Sequence, residues 1–272
     1  MNKPKRRVGC CSNFFILFFL TLFYFLTPIS NRFLLLGIDR TPIGTQIGRS
    51  DTIIVFSVNP FIPTVKMLSI PRDLWVTIPS IGENRINTAH FFAESQKPGS
   101  GPYLTMDTID RNFSIRLKYY VRFNLNHFPG IIDAMGGIQV DLPTPMAGFP
   151  AGSYLLDGTQ ALAFVRSRSD GDDFFRISQG QLFIGAFIRR MLNPEFWPRL
   201  PAVISAASNA FDTNLPVWLW PRIGFALLRA SIFGIENYSI DRSMVTPYTT
   251  TEGAQVLLPN WEMIYIYIKQ IF

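Results

Sequence analysis

Cysteine stops at Cys11. With only Cys10 and Cys11 in 272 residues, no disulfide can brace anything beyond the N-terminal segment. Both precede the apolar run that follows them, the reverse of a lipobox, and read as small apolar residues at a membrane edge. Histidine is as scarce, and His90 and His127 alone argue against a zinc centre built on imidazoles. Lysine is thin, six residues against 19 arginines within a net charge of +6. A nucleic-acid binder that relies on a diffuse cationic surface needs lysines and basic runs along the chain, so nucleic acid is not an expected partner. Internal repeats, low-complexity stretches and internal linkers are missing too, which leaves one domain with ample core.

Aromatics, by contrast, are abundant, with 25 Phe. The stretch from Phe14 to Ile29 holds no charge and is dominated by Phe, Leu and Ile, close to the roughly 17–25 residues that span a bilayer. The single basic run, Lys3-Pro4-Lys5-Arg6-Arg7, precedes it and is expected to stay cytoplasmic, sending the rest of the chain outward. A cleaved signal peptide is the rival reading, but Thr27-Pro28-Ile29-Ser30 is a poor cleavage site. The expected organisation is a basic cytoplasmic tail (1–9), a transmembrane anchor (10–30) and an extracytoplasmic domain (31–272). With almost no linker, that domain is held against the outer leaflet.

Within the domain, apolar runs at Phe33–Ile38, Thr52–Val58, Val65–Ile70 and Leu74–Ile78 predict strands, as do Tyr119–Phe123 and Ile138–Leu142. Helices are expected over Asn87–Glu94, Leu104–Phe113 and Asn126–Met135, the last stopped by Gly136-Gly137. From Gly158 the pattern is helical: one helix leads into Arg166, a second runs to Leu192, and others cover Trp197–Ala210, Trp218–Phe233 and Trp261–Ile271. The class is α/β, a mixed sheet made mainly from the first half and flanked by helices from both halves.

Six arginines fall in four clusters at predicted strand or helix ends: Asp39-Arg40, Arg49 with Asp51, Arg72-Asp73, and Arg166 and Arg168 followed by an acidic loop, Asp173 and Arg176. Any one pair reads as a surface salt bridge. Together, at the ends where loops of an α/β sheet converge, they point to a bound phosphate-like anion, which the guanidinium fork suits. The accompanying carboxylates suit a hard cation such as Mg²⁺. His127 at a helix start reads as a polar cap or packed residue, and His90 likewise.

The segments LLLGIDR, GRSDTIIVFSVNP, KMLSIPRDLWVTIP, RINTAH, YYVRFN, IIDAMGGIQVDLP, LDGTQALAFVRSRS and VLLPNWEMI resemble, in this order, the LytR-CpsA-Psr family of bacterial cell-wall proteins, from about Arg32 to Phe272. The resemblance implies a membrane-anchored phosphotransferase of the bacterial cell envelope. It would move an anionic glycopolymer, such as teichoic acid or capsule, from a polyprenyl-pyrophosphate carrier to peptidoglycan. It further implies that Asp39 and Asp51 hold Mg²⁺, and that Arg49, Arg72, Arg166, Arg168 and Arg176, with Arg40 beside them, clasp the pyrophosphate. Asp173 or Asp73 would accept the proton of the incoming hydroxyl, and the polyprenyl tail would lie between sheet and helices. The chain departs from the family after the acidic loop. A second Arg is replaced by Gln179 and a phosphate-contacting Gln by Gly180, with Gln179 or Gln181 as substitutes. The same residues also suit a polyprenyl-pyrophosphate hydrolase, and the departures leave room for a non-catalytic lipid-binding or regulatory membrane protein.

Overall fold

The computed structural model describes residues 10–26, 31–39, 41–42, 45–59, 64–167, 173–207 and 210–272. Its elements are, in order, α1 (Cys10–Leu26), β1 (Asn31–Ile38), β2 (Ser50–Val58), β3 (Val65–Ser69), β4 (Trp75–Ile78) and β5 (Gly82–Arg85). Then come α2 (Thr88–Gln96), α3 (Gly101–Phe113), β6 (Tyr119–Asn124), α4 (Phe128–Met135), β7 (Ile138–Leu142) and β8 (Gly152–Leu156). The second half adds α5 (Gly158–Arg166), α6 (Asp173–Leu192), α7 (Leu200–Ala207), β9 (Phe211–Thr213), α8 (Trp220–Phe233), β10 (Ile235–Ser239), β11 (Val245–Thr249), β12 (Gln255–Pro259) and α9 (Trp261–Ile271).

The central sheet is mixed, in the order β10-β3-β2-β1-β6-β9. Its interior strands come from the first half, as their continuous apolar runs demand of strands covered on both faces. Strands β1 and β6 run parallel, as do β3 and β10, whereas β2 is antiparallel to both its neighbours. The C-terminal ends of β1, β3, β6 and β10 therefore share one edge of the sheet with the N-terminal end of β2.

One face packs on α2, α3 and α9 through Leu34, Leu36, Ile53, Leu68, Ile109 and Ile264. The opposite face is thinner, with stacked Phe33 and Phe56 beneath Ala226 and Ala230 of α8. A separate cluster joins α4, α5, α6 and the β7–β8 hairpin around Ile132, Phe164 and Phe183.

The expected elements form, with shifts that have local causes. Helix α4 starts at Phe128 because Asn124 caps a preceding 3-10 turn and Pro129 suits the first helical turn. His127 takes the position before α4, yet its exposed side chain makes no capping bond. The helix expected over Trp197–Ala210 is a 3-10 segment through Pro198 followed by the shorter α7. No helix among the described residues is long and apolar enough to cross a membrane. The expected anchor coincides with α1, 17 residues long, plus residues 27–30 outside the described part.

Candidate active site

Site residues gather at the shared sheet edge. Ile38 pairs with Ser50 across a register shift, so Asp39, just past β1, and Asp51, one residue into β2, occupy adjoining positions. The turn after β3 brings Arg72 and Asp73 to the same edge. Arg72 Nη1 donates to Asp51 Oδ1 at 2.8 Å and its Nε donates to Asp73 Oδ2 at 3.2 Å. Arg85 Nη1 reaches the other oxygen of Asp73 at 3.4 Å. The backbone fixes this turn from both sides: the Asn87 amide bonds the Arg72 carbonyl at 3.2 Å, the Ile86 amide bonds that of Leu74 at 2.9 Å, and the Leu257 amide bonds that of Asp73 at 3.0 Å.

Helix α5 delivers Arg166. A reciprocal capping box starts it, with Asp157 Oδ1 accepting from the Gln160 amide at 2.8 Å and Gln160 Oε1 from the Asp157 amide at 3.1 Å. Gly158 is required there, since a Cβ would come within 2.2 Å of the Pro129 carbonyl oxygen. Arg166 lies in the last turn, where a cation is favoured, and its Nη2 donates to the buried Asp39. The Arg166 Nε–H is buried and has no partner among the described residues, leaving one donor for an anion.

Arg49 is exposed at the mouth of this edge. Arg40 and Arg168 lie outside the described residues, and of Asp173 and Arg176 only the helical backbone in α6 is described. Gln179 is 2 % exposed with its Oε1 unpartnered among the described residues. Gln181 points to the sheet instead: its Nε2 donates to Ser69 Oγ at 3.0 Å and to the Tyr238 carbonyl at 2.9 Å.

Three cavities meet this cluster or lie beside it. A narrow one, about 50 Å³, is lined by Asp51, Ser69, Arg72, Val165 and Gly180. A groove of about 570 Å³ opens on the other side of Arg72 and Asp73, walled by Arg242, Tyr248, Gln255 and the β11–β12 hairpin. A third, about 910 Å³, lies among α6, the end of α8, β10 and the β7–β8 hairpin, and includes Gln181, Leu182, Ala230 and Ile235. The Gln181–Ser69 bond joins the wall of the third to the wall of the first.

Sequence reading missed Arg85, whose signal was a basic residue at the start of RINTAH beside the Arg72-Asp73 pair. It also missed a buried network behind Arg49. His90, 0 % exposed, places Nδ1 2.9 Å from the Gly48 carbonyl, and its Nε2 lies 3.3 Å from Arg122 Nη1. Arg122 in turn pairs with Glu94 Oε2 at 2.9 Å and Asp212 Oδ2 at 2.6 Å. Burial pushes the His90 pKa down to about 4, so its Nδ1 is a neutral N–H that donates to Gly48. Burial alone would raise Glu94, but the amides of Gly99 and Gly101, with Arg122, outweigh it and hold its carboxyl below the usual range.

Among the described residues no group of three or more His, Cys, Asp or Glu forms a metal cage. Asp39 and Asp51 stand at one edge, each ion-paired to a guanidinium, Arg166 and Arg72, and offer two carboxylates of the kind Mg²⁺ takes alongside substrate phosphates.

The fold and the site together define an α/β domain with carboxylates and guanidiniums alternating at one end of a mixed sheet. Residues 29–260 match the LytR_cpsA_psr family, and the chain belongs to it. It is 41% identical over 139 residues to the polyisoprenyl-teichoic acid–peptidoglycan teichoic acid transferase TagU of Oceanobacillus iheyensis, over 50% of this chain and 42% of that protein. To the protein of the same name from Halalkalibacterium halodurans it is 32% identical over 190 residues, 67% of this chain and 60% of that one. The chain thus spans about half the length of the curated relatives it matches. Among solved structures, TagT bound to LI-WTA superposes with a TM-score of 0.68 at 24% identity, over 89% of each chain. Bacillus subtilis TagV gives 0.69 at 25% identity, over 90% of this chain and 98% of that one. The folds are the same.

Proposed function

We propose that the protein is a membrane-anchored transferase of the cell envelope, moving an anionic glycopolymer from a polyprenyl-pyrophosphate carrier to peptidoglycan. The observation that carries the reading is the relay Asp51–Arg72–Asp73–Arg85 standing between a narrow cavity and a wide groove. Transfer of a phosphoryl-linked group needs leaving group and acceptor on opposite sides of phosphorus, and one guanidinium bordering both spaces suits that geometry. The TagU relatives are named for transfer of polyisoprenyl-linked teichoic acid to peptidoglycan, and TagT was solved with LI-WTA.

In this reading Arg72 and Arg166, with Arg49, Arg40, Arg168 and Arg176, neutralise the diphosphate. Asp39 and Asp51 would hold Mg²⁺, which when bound supplies charge neutralisation at phosphate oxygens. Asp73 borders the groove, where it takes the proton of the acceptor hydroxyl, with Asp173 as the second candidate for that role. Arg72 and Arg85 orient the Asp73 carboxylate through its two oxygens. Guanidiniums fixed by carboxylates before substrate arrives need little reorganisation as charge grows on the departing polyprenyl phosphate. The tail lies in the cavity among α6, α8 and β10, and α1 with its flanking residues is the anchor.

The test uses full-length protein, a polyprenyl-pyrophosphoryl glycopolymer, Mg²⁺ and peptidoglycan fragments. Polyprenyl phosphate is released and the polymer appears on peptidoglycan, and Arg72→Ala slows this by about 10²–10³-fold, the cost of one preorganised donor. Absence of polyprenyl phosphate overturns the reading. Release with all of the polymer free in solution would make the protein a hydrolase.

A further inference from the structure

Helix α8 is apolar on both faces, with Ile223, Ala226, Leu227 and Ala230 packed toward the sheet. The residues it buries include Arg222, Ala226 and Ala230, while Trp220, Phe225, Leu228, Ile232 and Phe233 are 58%, 44%, 46%, 74% and 60% exposed. No charged side chain is exposed on it among the described residues. Its arginines are engaged by neighbours: Arg222 packs on the Tyr24 ring, 5.6 Å from its centroid, and Arg229 donates to the Asn59 carbonyl at 2.9 Å while its guanidinium lies 5.2 Å from the Phe225 ring centroid. A soluble surface helix carries polar residues on its outward side, and a contiguous exposed apolar face marks a surface that is covered in use.

The end of α1 says what covers it. Phe25 stacks edge-on against Phe225 with centroids 5.4 Å apart, and the Tyr24 hydroxyl donates to the Trp218 carbonyl. The apolar face of α8 is thus continuous with α1, whose Phe15, Leu17, Phe19 and Phe23 are all more than half exposed. Tyr24, Trp218 and Trp220 sit together at the junction, the residue types that populate the membrane–water boundary. At about 1.5 Å per residue, the 17 described residues of α1 reach about 25 Å, so the Tyr24 end of the helix stands near one edge of a hydrocarbon core of about 30 Å.

We propose that α8 lies in the outer leaflet as a second membrane contact, its face of Phe225, Leu228 and Ile232 sunk among the lipids. Ala230 on the opposite side lines the 910 Å³ cavity, so the helix separates that cavity from the bilayer and its C-terminal end forms the mouth. A lipid tail then passes from leaflet to cavity around Gly234 without crossing water. This rests on the membrane-anchored reading of α1, but not on the transfer chemistry.

Spin labels test it in the full chain, reconstituted in phosphatidylglycerol–phosphatidylethanolamine vesicles and carrying Cys10→Ser and Cys11→Ser. Labels are placed singly at Leu228→Cys and Ile232→Cys, with Phe18→Cys on α1 and Leu155→Cys on β8 as references. The ratio of oxygen to nickel-chelate collisions at 228 and 232 should match that at 18 and exceed that at 155. Ratios at 228 and 232 equal to 155 overturn the proposal while an elevated ratio at 18 leaves the anchor standing; a low ratio at 18 as well overturns both. Spin–spin broadening at 228 that grows with protein-to-lipid ratio would assign the face to a second copy and also overturn it. The triple variant Phe225→Gln/Leu228→Gln/Ile232→Gln adds a functional arm. Transfer from a vesicle-embedded long-chain donor falls, while a detergent-soluble short-prenyl donor reacts at the parental rate; equal losses on both overturn the proposal, and a parent inactive on both sinks the transferase reading alone.

Discussion

At Gly180, a position inside α6, a Cβ would meet nothing within 4 Å. The residue lines the narrow cavity beside Asp51 and Arg72, where the family resemblance expects a glutamine on the phosphate. Its two neighbours do not fill the gap, because Gln179 is buried and Gln181 is committed to Ser69 and Tyr238. Glycine in a helix interior also costs about 0.5–1 kcal/mol relative to a good helix former. Gly180→Gln is therefore expected to gain on both counts. Calorimetry should show a Tm higher by about 2 °C, the shift such a gain gives a protein near this size. Steady-state kinetics should show a lower KM for the polyprenyl-pyrophosphate donor, since an amide donor enters the phosphate cavity. An unchanged KM with the raised Tm would mean that the opening at 180 serves space, not anion binding.

Among the elements, the β11–β12 hairpin ties most directly to the chemistry. Leu257 bridges to Leu74 and its amide bonds the Asp73 carbonyl, so the hairpin and the Arg72-Asp73 turn move as one piece. Tyr248, 49% exposed, offers an aromatic face to the groove that ends at Asp73. Aromatic contacts are worth about 0.5–1.5 kcal/mol beyond area burial. Tyr248→Ala is expected to raise KM for the peptidoglycan acceptor about two- to tenfold. Water-dependent release of polyprenyl phosphate should stay at the parental rate. A matching loss in both would place Tyr248 on the donor side. Little in the sequence announces this hairpin. VTPYT and QVLLP are short, each carries a proline and the burial of both alternates poorly, whereas LLLGI and TIIVFSV identify β1 and β2 by continuous apolar runs. The edge strand β10 (IENYS) is hidden for the same reason. The Asp51–Arg72 pair was legible because each partner sits in a cluster at a predicted strand end. The Asp73–Arg85 contact was not, because Arg85 lies on a four-residue strand with no apolar pattern.

Across the whole molecule the His90 network draws together segments that the sequence keeps far apart: the loop at Gly48, α2 and the start of α3 through Glu94, β6 through Arg122, and edge strand β9 through Asp212. The spacing of its members, from 48 to 212, gives no local pattern, so only the fold reveals it. Its energetics depend on pH in a defined direction. His90 has a folded pKa of about 4 against 6.5 unfolded, so between these values the unfolded chain binds more protons. Its contribution is complete above pH 6.5 and is lost as pH falls towards 4, on the order of 3 kcal/mol in all. Glu94, held below its ordinary value, adds a second loss at more acidic pH, because its stabilisation is present only while the carboxylate is ionised. Protonating His90 buries a charge beside Arg122, and protonating Glu94 removes one of the two carboxylates that balance Arg122, leaving Asp212 alone. Thermal unfolding followed by circular dichroism should therefore show Tm level above about pH 6.5 and falling steadily towards pH 4. In His90→Gln, which has no proton to gain in that window, the slope should flatten even though the variant starts from a lower Tm. A slope identical in parent and variant would remove His90 as its source. Because the network ends on the Gly48 carbonyl beside Arg49, acid that opens it should loosen the Arg49 loop before the sheet itself unfolds, seen as faster amide exchange at Gly48 and Arg49 than in β1 or β2.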